Sequence, residues 1–189
     1  MSKGVLDLCN RALSLIGADR IESMEEASTE AKNCNLHYEA VRDEILREAE
    51  WNFAMKSEPL ALLGAFGGSG GYEYQRPSHC IFVSQVYGPE GPRPVRANFR
   101  IMGDRIICAI RQAQADYIRS DFLIEQADSL FQTAMEYRLA SKMSATLGDA
   151  NRSERLMQYY MEYIARARLA NAQEREQEVY HANPYSDER

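Results

Sequence analysis

Apolar residues recur with a helical period at both ends of the chain and with a strand-like rhythm in the middle. Leu6, Cys9, Leu13 and Ile16 follow at steps of three, four and three, and Gly17 stands where a helix can end in the left-handed conformation. After the polar link ADRIESMEEA, Ser28 can cap a second helix with Glu30 in its first turn. Its apolar face is Ala31, Cys34, Tyr38, Val41, Ile45 and Ala49. The pattern predicts a helix over 28–50, about 34 Å long at about 1.5 Å per residue. The charged run REAEWNFAMK then ends this helix on Trp51 and Phe53.

From Phe53 the pattern changes. Pro59 and the glycine run GAFGGSGG forbid a continued helix. CIFVSQVYG is β-branched and aromatic and reads as a strand. NFRIMGDRIICAI holds two such runs around Gly103-Asp104, where glycine first suits a two-residue hairpin turn. QADYIRS adds a further strand. Helical spacing returns with Phe131, Met135, Leu139, Met143 and Leu147 at steps of four, between a cap at Asp128 and a stop at Gly148. Asn151 with Glu154 resembles a capping box for a last helix, whose stripe is Leu156, Tyr160, Tyr163, Ala167 and Ala170.

These elements predict an α+β, mainly α fold: a four-helix bundle with a small antiparallel β region inserted between the second and third long helices. Residues 1–53 and 120–178 form the bundle, 54–119 the β insertion and 179–189 an extended tail. The N-terminal helix pair is too short to bury its stripes alone, so it needs the C-terminal pair. Trp51 and Phe53 then stand at the domain seam, where the long helix leaves the bundle.

Composition narrows the function classes. The chain has 189 residues, 45% of them hydrophobic, and a net charge of −6. That balance offers no basic excess for gripping phosphates, so a DNA-binding module is disfavoured. No apolar run approaches the roughly 18 residues of a membrane span. The first twenty residues place Asp7, Asn10 and Arg11 where a signal peptide would be apolar, so they read as a mature helix. Cys9, Cys34, Cys80 and Cys108 form no close pair, which predicts reduced, mostly buried thiols of a cytosolic protein.

The search for chemistry returns no catalytic residue, no metal site and no cofactor. Cys34 and His37 share a helical face but lack a second ligand pair. The glycine run has no Lys-Ser/Thr after it and leads into a strand, so no helix N-terminus faces a phosphate. It reads instead as a mobile loop or an assembly contact. The many carboxylates lie mostly on polar helical faces, as in the pair Asp43 and Arg47. The last helix carries a second stripe, Met157, Met161 and Ile164, beside the first, and Tyr159 nearer its outer side. A well-packed core helix explains this, and so does a subunit interface enriched in tyrosine and methionine. Met157, Tyr159 and Met161 are the candidate interface residues.

Several segments resemble one family. LCNRALSLIGADRIESMEEASTEAKNCNLHYEAVRDEILREAEWNFA is similar to the opening of the tail tubular protein A family of short-tailed bacteriophages, above all at WNFA. YEYQRPSHCIFV resembles its Tyr-x-Pro-x-x-Cys segment, FRIMGDRI its hairpin, and LFQTAMEYRLASKMSATLGD its third long helix. The similarity runs from Leu6 to Gln173. Arg76 stands where an apolar residue is expected, and Glu39 where Asp is expected.

The resemblance implies a structural head-to-tail adaptor, not an enzyme. It implies a homo-oligomeric ring of about twelve copies, docked beneath the portal protein and carrying the tail nozzle protein (tail tubular protein B-like), with DNA passing through the bore without specific binding. Such a protein is assembled in the host bacterial cytoplasm and resides in the virion. The tail from Val179 lies outside the resemblance; Tyr180, Pro184 and Tyr185 are the expected portal contacts, because aromatics punctuate an otherwise polar segment. The alternative class is a virion-associated cell-wall hydrolase, motivated by the carboxylates alone.

Overall fold

The computed structural model describes residues 3–67, 70–88, 95–146 and 149–180, with the backbone alone at 95 and 175–180. The chain divides into two compact units. One comprises Met1–Ile45, Trp51–Phe53 and Leu123–Arg189; the other comprises Leu46–Glu50 and Ala54–Phe122.

The helical unit holds α1 (Lys3–Ile16), α2 (Thr29–Leu46, whose last residue belongs to the other unit), α3 (Ser129–Thr146) and α4 (Ala150–Tyr180). α1 buries Cys9, Leu13 and Ile16 as its spacing requires, and adds Val5, Leu8 and Ala12. It ends at Gly17, whose φ of 72° lets the Gly17 and Ala18 amides turn back onto the Ser14 and Leu13 carbonyls. Ser28 caps α2 by accepting from the Ala31 amide at 3.3 Å, and Asp128 caps α3 by accepting from the Leu130 amide at 2.8 Å. The cap of α4 differs from expectation. Asp149, not Asn151, accepts from the Arg152 amide at 2.9 Å and places an anion at the positive helix end.

α3 packs closely on both α1 and α4. Its buried stripe, Phe131, Met135, Leu139 and Met143, is the predicted one. On α4, Leu156, Tyr160, Ile164 and Ala167 are buried, so Ile164 takes the core position assigned to Tyr163. Trp51 is 1% exposed, donates its indole N–H to the Ile45 carbonyl at 3.0 Å and meets Phe131 edge-on at 4.9 Å. Phe53 meets the same Phe131 ring at 4.7 Å.

The polar link after α1 is fastened by Asn10. Its side-chain amide donates to the Ile21 carbonyl at 3.0 Å and its carbonyl accepts from the Ile21 amide at 2.9 Å. Ile21 is buried, so Asn10→Ala removes both bonds and leaves two backbone groups to find new partners. The expected cost is about 2 kcal/mol, read as a lowered urea midpoint. A wild-type midpoint would show that water serves equally well.

The four-helix bundle with a small β insertion is incorrect. Half of the chain is helical and a quarter is in strands, and the strands build two four-stranded antiparallel sheets. The first sheet has the order β1 (Met55–Pro59), β8 (Gln114–Arg119), β4 (Cys80–Gly88), β5 (Val95–Ala97). The second has the order β2 (Leu62–Phe66), β3 (Gly71–Gln75), β7 (Arg105–Cys108), β6 (Phe99–Met102). The chain changes sheet four times, each time through a short connection: from β1 to β2 through Leu60-Ala61, from β3 to β4 through 76–79, from β5 to β6 through Asn98 and from β7 to β8 through 109–113. Such corner crossings let two sheets share one core. Tyr74, Ile106 and Cys108 from the second sheet meet Val86 and Ala115 from the first, with Leu60 and Ala113.

The predicted hairpin is present: β6 and β7 pair Met102 with Arg105 across Gly103-Asp104, and Gly103 has a φ of 60°. The glycine run is a second hairpin rather than only a loop. Gly64–Phe66 belong to β2 and Gly71 to β3, while residues 68–69 lie outside the described residues. Arg76 donates to the Cys80 and Ile81 carbonyls at 2.7 and 2.9 Å and so fixes the entry of β4.

Candidate interaction surface

α4 has 31 residues, and over its described side chains, 150–174, it buries one narrow stripe and leaves the other positions exposed or half-buried. Met161 and Leu169 are 56% and 62% exposed, with exposed Ala165 between them at steps of four. These three therefore form one apolar line along the helix. Beside it, α3 and α4 bound a groove of about 540 Å³, lined by Met157, Met161, Ala145 and Ala150 among others.

Arg138 shapes the floor of that groove. Its guanidinium donates to the Met157 sulfur at 3.0 Å and to a Glu44 carboxylate oxygen, and lies 5.6 Å from the Tyr160 ring centre. A planar cation can serve a thioether, a carboxylate and an aromatic face together because its donors fan out in one plane. Lys142 reaches the other Glu44 oxygen at 3.7 Å. A basic side chain on α3 is thus spent on holding the α3–α4 pair.

The three candidate interface residues do not form one patch. Tyr159 lies two positions from both Met157 and Met161, about 160° from each around the helix. Its ring stacks on Tyr137 at 5.2 Å; Tyr163 stacks on Tyr137 at 5.3 Å, and Arg166 covers Tyr163 at 5.2 Å. Burial and its tyrosine neighbours hold the Tyr137 hydroxyl above its ordinary range. Met157 is half-buried against Arg138, and Met161 is open. The sequence reading missed Tyr137 and Arg138, whose spacing on α3 does not reveal the α4 side chains they meet. Of the expected portal contacts, Tyr180 is the last residue of α4 with its side chain outside the description. Pro184 and Tyr185 lie outside the described residues.

Two carboxylates of the sheet unit, Asp116 and Glu58, are engaged by neighbours. Asp116 accepts from Ser57, Gln85 and Tyr87, the last at 3.1 Å. Glu58 is held below its ordinary range by Lys56, with Tyr117 donating to it at 2.8 Å. Burial, and then Glu58, push the Tyr117 hydroxyl up to about 12. Glu58, stabilised as the anion by these donors, is poorly suited to giving up a proton at neutral pH.

Cys9, Cys34 and Cys108 are buried, Cys80 is half-buried, and all are free thiols. Cys34 meets the Met143 sulfur at 3.9 Å, while His37 turns to the Thr146 hydroxyl at 3.1 Å. These two residues therefore do not converge. Among the described residues, no group of three or more His, Cys, Asp or Glu is placed to hold a metal ion. No protein-family model matches the chain, and no curated protein matches it.

Proposed function

We propose that the protein is a structural head-to-tail adaptor of a short-tailed phage. About twelve copies form a ring that joins the portal protein to the tail nozzle protein and encloses the path of the ejected DNA. The order of motifs from LCNRALSLIG through WNFA to LFQTAMEYRLASKMSATLGD motivates this reading. The structural observation that supports it is the open apolar line Met161–Ala165–Leu169 on α4, a helix already packed on α3 by its opposite side. A helix with apolar surface on two sides suits packing between copies. The acidic balance suits a bore that lets DNA slide without gripping it. Native mass spectrometry and electron microscopy of the protein mixed with its portal are expected to show a closed ring seated on one portal face. A protein that stays monomeric with its portal present would sink the proposal.

A further inference from the structure

Ten large apolar side chains stand exposed among the described residues, and four of them belong to two short strands. Leu62 and Leu63 lie on β2, Ile101 and Met102 on β6, each 40–50% exposed. These strands are the opposite ends of one sheet. The outer side of an end strand presents backbone groups with no ladder partner on that side, a ready template for another strand.

Charge and proline commonly guard such edges. The first sheet follows that rule. Its edge β1 carries Lys56, Glu58 and Pro59, and its edge β5 carries Arg96. The second sheet departs from it: β2 reads Leu-Leu-Gly-Ala-Phe without a charge. β6 has only Arg100, whose guanidinium lies 5.8 Å from the Phe66 ring of the same sheet. A register irregularity between Leu62 and Gly64 kinks the start of β2, while Gly64, Ala65 and Phe66 keep regular pairing with β3.

We propose that β2 and β6 are the two halves of a joint between copies of this chain. The outer edge of β2, which has no ladder partner among the described strands, pairs in one copy with the outer edge of β6 in the next, and the second sheet continues across the boundary. A head-to-tail contact requires two different, complementary surfaces on the same chain. Strands of five and four residues, both poor in charge and at opposite ends of one sheet, supply that pair. Ile101 and Met102 are consecutive in a regular strand, so they point to opposite faces. A partner lying on one face would cover one of them; a strand added in plane flanks both. The inference rests on the ring reading above and locates one of its joints.

Hydrogen exchange read by mass spectrometry tests the joint directly. On passing from monomer to assembled protein, the amides of 62–66 and 99–102 are expected to slow about tenfold or more. Unchanged exchange there in an assembled ring would overturn the joint and leave the ring standing. Leu63→Lys and Met102→Lys, each checked for a native circular dichroism spectrum, are each expected to raise the concentration for half-assembly at least about tenfold. Should either lysine variant misfold, Leu63→Thr and Met102→Thr remove the apolar contact while keeping strand propensity. A one-to-one mixture of the β2-blocked and β6-blocked proteins is expected to recover a two-copy species, since one intact joint remains between them. Rings that persist in the blocked variants while portal binding alone is lost would assign the edges to the portal and overturn the inference. A wild-type protein that never assembles, alone or with its portal, defeats the ring reading and this joint together.

Discussion

Trp51→Ala is expected to cost the helical unit about 3–5 kcal/mol, the usual range for emptying a buried aromatic site. Three observations put it there. The indole is 1% exposed, its N–H is committed to the Ile45 carbonyl, and its ring closes a three-ring cluster with Phe53 and Phe131. Alanine leaves a cavity beside Phe131, removes the edge-to-face contact and strips the last turn of α2 of a donor. At roughly 2–4 °C per kcal/mol for a chain of this size, the melt followed at 222 nm should fall by roughly 6–20 °C. Trp51→Phe restores an apolar ring and loses the donor, so it should recover more than half of the loss. Trp51→Ala is also expected to impair ring assembly, because Trp51 anchors the point where the chain leaves the helical unit for the strands. A stable, ring-competent Trp51→Ala protein would show that Phe53 and Phe131 repack without it.

What the sequence disclosed follows from how local each signal is. Caps and helical stripes are written within a few residues. Ser28, Asp128, Gly17 and the stripe from Phe131 to Met143 are therefore legible in the sequence alone. The strand Cys80–Gly88 and the hairpin at Gly103-Asp104 were legible for the same reason, since β-branched runs and a first-position glycine are local. β1, β2 and β3 were not. β1 reads Met-Lys-Ser-Glu-Pro, and the hairpin of β2 and β3 holds Gly64 and Gly71; charged residues, proline and glycine all count against a strand by propensity. Pairing of β1 with β8 and of β3 with β7 overrides that preference, and those partners lie thirty or more residues away. The undercount of strands is what turned two full sheets into a small insertion.

The surface of α4 shows the complementary limit. Its helical period was visible, and Leu156, Tyr160 and Ala167 of its predicted stripe are buried, but one core position was not legible. Tyr163 and Ile164 are neighbours, and only packing on α3 decides that Ile164 goes inside while Tyr163 joins Tyr137. A phase error of one residue turns the helix by about 100°, enough to move a side chain from core to surface. Met157 and Met161 lie on one side of the helix and Tyr159 nearly opposite, because two residues along a helix turn a side chain by about 200°.

The sheet unit has its own linchpin in Tyr74, which the sequence reading passed over as part of YEYQRP. It is 1% exposed, sits among Leu60, Val86, Ile106, Cys108, Ala113 and Ala115, and donates its hydroxyl to the Ile110 carbonyl at 2.5 Å. Burial pushes that hydroxyl above its ordinary range, so it remains the proton donor throughout the neutral range. Two variants separate the contributions. Tyr74→Phe keeps the ring and deprives the Ile110 carbonyl of its donor, an expected loss of about 1 kcal/mol. Tyr74→Ala also empties the space between two sheets whose other core members include three small residues, Cys108, Ala113 and Ala115. Small neighbours cannot collapse into the void, so the loss should reach about 3–5 kcal/mol. The measurement is hydrogen exchange across β3, β4, β7 and β8, whose slowest amides should lose about two to four orders of magnitude of protection in Tyr74→Ala. Equal, near-wild-type protection in both variants would mean that the core of this unit is held elsewhere, with the corner crossings at Leu60-Ala61 and Asn98 as the first places to look.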